Sequence, residues 1–368
     1  MAAPKMQPRA GSVGNERLSV LIAAGRAAAA GTAIFVIANL KEADGELDIT
    51  DVQTEFLSET ELHEIVNGCR DAGFYTGVFT DPAEFCQWAA GHGPRHFPFP
   101  NRAVYSIAQP GRSASRHAVL AGVAELFGCT LLTPPPFEAC LSHHKAHATL
   151  VMKSAGVRTP GTWQFDARVG WIGARPEDGV NVIAKPCLES ASIGVDESAR
   201  FTFRRGSEGF LRDLSHRLGQ PIVVQTFIPG REVEVAVAHD GRAFALDPVG
   251  IAMDGQVRLG DRILDYATVY RDGYDFYDFA RQEPGLSANL RADAERAAEA
   301  LGLRGISRFD FRIADDGQAF LIDMTGKPHL TRHSSVAFRF AAEGFDYGDI
   351  FASLVGSAMA TASLPPGA

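Results

Sequence analysis

Two aspartates near the C-terminal end of the chain, Asp310 and Asp323, are spaced to meet across a hairpin. Residues 307–313 alternate polar and apolar side chains, the period of a half-buried strand. Asp315-Asp316-Gly317 follows as a strong turn signal, and residues 319–323 return antiparallel. The two carboxylates then stand near enough to share a cation, with the Thr325 oxygen just beyond. Two carboxylates and a neutral oxygen suit a hard ion such as Mg²⁺, which takes few protein ligands and fills its shell with substrate phosphates. Arg308 lies two residues from Asp310 and so shares its strand face. Acid and base together on a face expected to be apolar are costly to bury without a partner. Taken alone, such a hairpin reads first as one with a solvated face, and the rest of the chain must decide.

A second group gathers mid-chain. An apolar strand over residues 180–185 ends in Lys185-Pro186, and a small loop with Ser190, Ser192 and Gly194 follows. Such a loop can turn backbone N–H groups and hydroxyls toward a phosphate, with the lysine as counter-charge. By itself the signal is weak, because strand-end lysines are usually just exposed. Lys145 falls in a helical stretch over residues 141–154, which Gly156 ends with Pro160 beyond. Glu232 and Glu234 alternate with valines on a strand after Pro229-Gly230 and face one way. His143 and His147, four apart on a helix, have the spacing of a metal pair, but no acid stands nearby and they read as surface or packing residues. His329 and His333 lie at the far end of the hairpin segment, where a site role and a bland one weigh equally. The aromatic cluster Tyr270, Tyr274, Phe276, Tyr277 and Phe279 reads either as a flap over a substrate or as a satellite hydrophobic cluster. No convincing Ser/His/Asp or Cys/His arrangement is present.

The elements that must position these groups fall into an order. A buried strand over residues 33–38 is followed by an amphipathic helix over 58–72, opened by the capping box Ser58-x-x-Glu61. Strands over 74–79, 103–108 and 129–132 alternate with helices over 81–90 and 113–127, and a loop covers 91–101. Strands separated by such helices imply a parallel sheet with helices on its faces. It has no GxGxxG, so a dinucleotide site is unsupported. Beyond the Pro134-Pro135-Pro136 break the strands 221–227, 231–238, 243–247 and 251–259 read as antiparallel, and Ser287 is a candidate N-cap of a helix to Leu301. At 368 residues, 46% apolar and 21% charged, the chain has the composition of a soluble globular protein of two or three domains. A net charge of −9 argues against a nucleic-acid groove. Five scattered cysteines without a CxxC read as reduced thiols of a cytoplasmic protein. The alanine-rich stretch over 17–40 is broken by Arg26 and reads as a helix and a buried strand, not a membrane span or leader.

Taken in sequence, Lys145, Lys185 with its loop, Glu232, Arg308, Asp310, Asp323 and Thr325 compose a nucleoside triphosphate site without a Walker loop. This order resembles the ATP-grasp superfamily, and within it most closely the D-alanine–D-alanine ligase branch. The resemblance runs from about Ser106 to the end, through HHKAHATLVMKSAGVRTPGTW, VIAKPCLESASIGV, QTFIPGREVEVAV, GISRFDF and LIDMTGKPHLTRHSS. It implies an α/β (α+β) ATP-grasp fold: a tail and first helix over 1–31, a parallel-sheet domain over 32–140, a central subdomain over 141–220 and a C-terminal subdomain over 221–368. It further implies that Lys145 and Lys185 hold ATP phosphates, with Ser192 and Gly194 in the lid above them. Gln225, Thr226, Phe227 and Ile228 would lie against the adenine, and Glu232 at the ribose. Asp310, Asp323 and Thr325 would hold Mg²⁺, Arg308 would stabilise the acyl oxygen, and Ser334 would face the second substrate.

The chain also departs from that pattern. The metal-site Glu-x-Asn is Asp323-Met324-Thr325, a glycine after the proline is His329, a loop serine is Ala191, and a lid Lys-Tyr is Val269-Tyr270, with Arg271 as a candidate replacement. Glu55 is the candidate for the glutamate that holds the first substrate's amine. The substitutions fall at substrate contacts while the ATP contacts are kept. The expectation is therefore an ATP-dependent carboxylate–amine ligase, working through an acylphosphate on small amino-acid-like substrates or closing a ring within one, in specialised biosynthesis. D-Alanine–D-alanine ligation is the alternative; a phosphotransferase or a non-catalytic nucleotide-binding module is the alternative of another class. A homodimer is the form the resemblance implies, with no nucleic-acid or membrane partner.

Overall fold

The structure is a computed structural model and describes residues 13–42, 48–91 and 97–362. The expected tail falls mostly outside these residues, although Val13 to Asn15 already belong to the first helix, α1 (Val13–Ala28). Then follow β1 (Thr32–Ile37), α2 (Glu59–Asp71), β2 (Tyr75–Phe79), α3 (Pro82–Ala90), β3 (Asn101–Ser106), α4 (Arg116–Leu126) and β4 (Thr130–Leu131). The four strands form a parallel sheet in the order β2-β1-β3-β4. β1 is buried along its whole length, as a strand covered on both faces must be. The Ser58/Glu61 capping box forms as read from sequence. No helix among the described residues is long and apolar enough to cross a membrane.

The stretch expected as one helix is two. Pro136 stands at the first position of α5 (Pro136–His143), where its missing N–H costs nothing. His144 takes an extended conformation, and α6 (Lys145–Ser154) starts afresh. The break places Lys145 at a helix N-terminus, with its own N–H bound to Cys187 O at 3.0 Å. A five-stranded antiparallel sheet follows, built from β5 (Thr162–Asp166), β6 (Gly170–Ile172), β7 (Asn181–Pro186), β8 (Arg200–Thr202) and β9 (Ile222–Thr226) in the order β6-β5-β9-β7-β8. α7 (Glu208–Leu218) covers it with Leu211, Leu214 and Leu218.

The third sheet is antiparallel, with a spine β13-β12-β10-β14-β15 and β11 paired to β10. Its elements are β10 (Arg231–His239), β11 (Ala243–Ala245), β12 (Val249–Ala252), α8 (Tyr266–Tyr270), β13 (Asp275–Asp278), α9 (Phe279–Gln282), α10 (Pro284–Leu301), β14 (Ile306–Ile313), β15 (Ala319–Thr325), α11 (Ser335–Ala342) and α12 (Tyr347–Ala362). The strand expected over 251–259 ends at Ala252. Ser287 is not a cap: Pro284 opens α10, and the Ser287 hydroxyl bonds back to Glu283 O within the first turn.

The cores explain the division of labour. One joins α1, α2, β1 and β3 to β10, α11 and α12, so both ends of the chain share a single packed interior. The central sheet has its own core beneath α7. Val233, Val235 and Val237 of β10 and Phe309, Phe311 and Ile313 of β14 pack on α10 and α6, which leaves the opposite sheet face to the polar residues between them.

Candidate functional site

That polar face is ordered in rows. Register pairs Glu232 with Arg312, then Glu234 with Asp310 and Asp323, then Ala236 with Arg308 and Thr325. Three carboxylates therefore stand side by side across β10, β14 and β15. A β-bulge between Asp310 and Phe311 adds Ile322 to β15, so Leu321 returns to the core while Asp323 stays opposite Asp310. The expectation that the two aspartates meet holds; the third acid, Glu234, was legible only as a residue alternating with valines.

Each acid has a cationic neighbour. Arg308 forks onto Asp310, with Nε and Nη2 each 2.8 Å from a carboxylate oxygen. Glu234 is fully enclosed, with Oε2 3.4 Å from Arg308 Nε but hydrogen-bonded to nothing. Burial, with repulsion from Asp310 and despite attraction from Arg308, pushes its carboxyl up to about 7. Glu232 receives Arg312 at 3.0 Å, and Arg312 also bonds the carbonyls of Ile228 and Gly260. Lys145 reaches both oxygens of Asp323, at 2.8 and 2.6 Å. Burial works against the Asp323 charge, but Lys145 and Lys185 outweigh it and hold that carboxyl low. Lys185 is pulled below its ordinary value by desolvation, against the attraction of Asp323.

These groups face one cleft of about 590 Å³ between the central and C-terminal sheets. Of the residues singled out from sequence, Lys145, Lys185, Ser192, Gln225, Thr226, Phe227, Ile228, Glu232, Arg308, Asp310, Asp323, Thr325, Tyr270, His329 and Ser334 line it. Others do not. Gly194 sits behind the loop with φ +73°, its N–H on Ile49 O and its Cβ position blocked by Pro186. Arg271 is exposed and does not line the cleft, although Tyr270 and Asp272 on either side of it do. Ala191 and Ser192 hold positive φ, and the Ser192 hydroxyl donates to Leu264 O at 2.6 Å, tying the loop to the segment before α8. Ser334 caps α11, accepting from Ala337 N. His333 meets Asp272 at 3.1 Å and packs on Tyr274 and Phe276, so the aromatic cluster touches the hairpin segment directly.

At the other end of the cleft the N-terminal block contributes. Glu55 is buried, with Oε1 accepting from the backbone N–H and hydroxyl of Ser190 and Oε2 unpartnered. Burial opposes its charge, but His143, Arg116 and the Ser190 bonds hold the carboxyl low. Arg116 bridges to Glu189 at 2.8 Å, and Gln220 donates to the other Glu189 oxygen. His117 and His143 stack at 3.5 Å between ring centroids and both line the cleft. His147 instead stacks on His144, so the two histidines four apart form no pair. Desolvation drives the His143 imidazole down to about 3 and that of His117 well below its ordinary value. Lys327 also lines this end. Arg116, His117 and Lys327 have no local sequence signal, because only the fold brings 116–117, 143 and 327 together.

Comparison with known proteins agrees with this architecture. The family model described as D-ala D-ala ligase C-terminus matches residues 175–356. The D-alanine–D-alanine ligase of Bordetella petrii is 29% identical over 254 residues, covering 68% of this chain and 74% of that protein. That of Cupriavidus necator is 24% identical over 261 residues, covering 71% and 76%. Among solved structures, the Bacillus anthracis D-alanine–D-alanine ligase complexed with ATP superposes with TM-score 0.64 at 12% identity, over 89% of this chain and 97% of that one. The Enterococcus faecalis VanG D-Ala:D-Ser ligase gives 0.64 at 15% identity, over 89% and 99%.

A parallel sheet and two antiparallel sheets around a cleft of lysines and acids make up the ATP-grasp fold. Over its C-terminal part the chain is similar to the D-alanine–D-alanine ligase branch of ATP-dependent, ADP-forming carbon–nitrogen ligases, and it shares their fold.

Proposed function

We propose that the protein joins the carboxylate of one amino acid to the amine of another through an acylphosphate. The observation that carries this is the convergence of Lys145 and Lys185 with Asp310 and Asp323 on one cleft beside Arg308. D-Alanine–D-alanine ligation is the reading favoured by the curated relatives. A second reading, other amino-acid-like substrates or ring closure in specialised biosynthesis, is favoured by the basic residues and His329 at the substrate end of the cleft. The setting would be cytoplasmic and the assembly a homodimer.

In the first step a substrate carboxylate oxygen attacks the γ-phosphorus, and the bond to the bridging oxygen breaks to release ADP. Lys145 and Lys185 offset the charge on the phosphoryl oxygens, and the loop tied down by Ser192 closes over them. In the second step the amine nitrogen attacks the acyl carbon, phosphate leaves and the nitrogen loses a proton. Arg308, already fixed by its fork on Asp310, faces the oxygen on which charge develops. Phe227 lies under the Arg312 guanidinium, 5.3 Å from it, and with Gln225, Thr226 and Ile228 forms the wall for the adenine. Glu232, fixed by Arg312, is placed for the ribose hydroxyls.

The donor set fits Mg²⁺: Glu234, Asp310 and Asp323 stand side by side across three strands, and carboxylate oxygens suit a hard cation. Asp310, Asp323 and Thr325 would hold it, where it would neutralise phosphoryl charge. Thr325 Oγ1 also accepts from Lys327 N at 3.1 Å, which orients that oxygen.

The test is ADP release across amino-acid pairs. Lys185→Ala and Asp310→Asn should each lower kcat/KM by roughly a hundredfold or more, and His329→Gly should change substrate choice. Unchanged turnover in either of the first two would remove the site. A stable phosphorylated product without amide would mark a phosphotransferase, and amine-independent silence a binding module.

A further inference from the structure

At the substrate end of the cleft one lysine and two imidazoles lack partners. Lys327 lines the cleft, and among the described residues no carboxylate forms an ion pair with its ammonium. Its electrostatic neighbours are Glu55, Cys140 and Arg116, whereas the acids Asp310 and Asp323 belong with Arg308 and Lys145. Beside Lys327, Arg116 Nη1, both ring nitrogens of His117 and His143 Nε2 are buried without a hydrogen-bond partner. Buried donors and a buried cation left unmatched are costly, and clustered at a cleft wall they mark where a ligand completes them.

We propose that this floor, formed by Lys327, His117 and His143, receives a carboxylate carried on the side chain of an amino-acid substrate. The inference deepens the ligase reading and rests on it for the reaction, though not for the binding. Lys327 supplies the charge, and each neutral imidazole has one N–H to donate.

A metal ion is the competing occupant. Glu55, His117 and His143 offer ligand atoms within 4.8 Å of one another. Lys327, which forms no ion pair among the described residues, adds a positive charge beside the two imidazoles, and that charge opposes a dication there.

The experiment measures calorimetric binding of aspartate and glutamate, of both hands, against asparagine and glutamine, with a non-hydrolysable ATP analogue present. ADP release is followed for the same set. The acid of the preferred length should bind roughly tenfold or more tighter than its amide. Lys327→Met should abolish that difference, and Lys327→Arg should keep most of it. Equal binding of acid and amide, or a preference that survives Lys327→Met, overturns the proposal. So does stoichiometric zinc or iron in the purified protein that is lost in His117→Ala. Acid-selective binding without ADP release with any pair would leave the subsite standing and sink the ligase reading instead.

Discussion

Glu234 shows how one residue's environment becomes a measurable property. Its carboxyl lies among Asp310, Arg308 and the apolar sheet, with an ordinary value of 4.5 raised to about 7 chiefly by burial. A carboxyl that holds its proton more tightly folded than unfolded contributes stability fully present below pH 4.5 and lost as pH rises through about 7. Glu234→Gln removes that dependence. The stability difference, variant minus wild type, should therefore grow between pH 5 and pH 8 by on the order of 1–3 kcal/mol. His143, depressed to about 3, works with the opposite sign as pH falls below 6.5, but it is common to both proteins and cancels in the difference. Urea melts of the ligand-free proteins at several pH values make the check, and a flat difference would mean that Glu234 is ionised throughout.

At the scale of elements, Gly230 governs how β10 enters the sheet. It has φ +141°, and a Cβ there would fall 2.0 Å from Ile313 O at the end of β14. Its own N–H and carbonyl are bonded to Gly260 and Leu259. Gly230→Ala should cost about 3 kcal/mol or more and weaken nucleotide binding, because Glu232 and Arg312 lie immediately inward. A denaturant midpoint within experimental error of wild type would contradict it. The same scale shows what the sequence could say. The hairpin β14/β15 and the cap of α2 were legible because period-2 alternation and Ser-x-x-Glu are local signals. The break at His144 was not, since nothing around it disfavours a continuous helix until Lys145 N–H meets Cys187 O. β5 is short with polar residues and β6 has only three residues, and both went unread. The Leu211, Leu214, Leu218 spacing closed by Gly219 in a left-handed conformation does mark α7. The chemistry-bearing residues of the nucleotide end followed motif order, whereas Arg116, His117 and Lys327 required three separate segments to be folded against one another.

Over the whole molecule, the arrangement of cores says what a nucleotide does. The N-terminal and C-terminal parts share one interior, sealed where α1 crosses α12 so closely that a Cβ on Gly25 would fall 1.9 Å from Ala352 O. The central sheet has a core of its own and meets the rest across the cleft, through the Lys145 N–H bond to Cys187 O and the loop at Ser190. A ligand held by Lys185 of the central sheet and by the acids of β14 and β15 ties the two bodies together and binds only the folded state. At a hundred times its dissociation constant it stabilises the protein by about 2.7 kcal/mol. Spread over the unfolding entropy of a chain this long, that is a rise in Tm of roughly 3–4 °C. ATP analogue with Mg²⁺ should produce this shift in wild type, with little in Lys185→Ala, because Lys185 extends from the central sheet into the cleft. A Gly25→Val protein, loosened at the α1–α12 crossing far from the cleft, should melt lower yet gain the same increment. If the increment vanishes there as well, the nucleotide acts through the shared terminal core rather than by bridging the central sheet to the acids of β14 and β15.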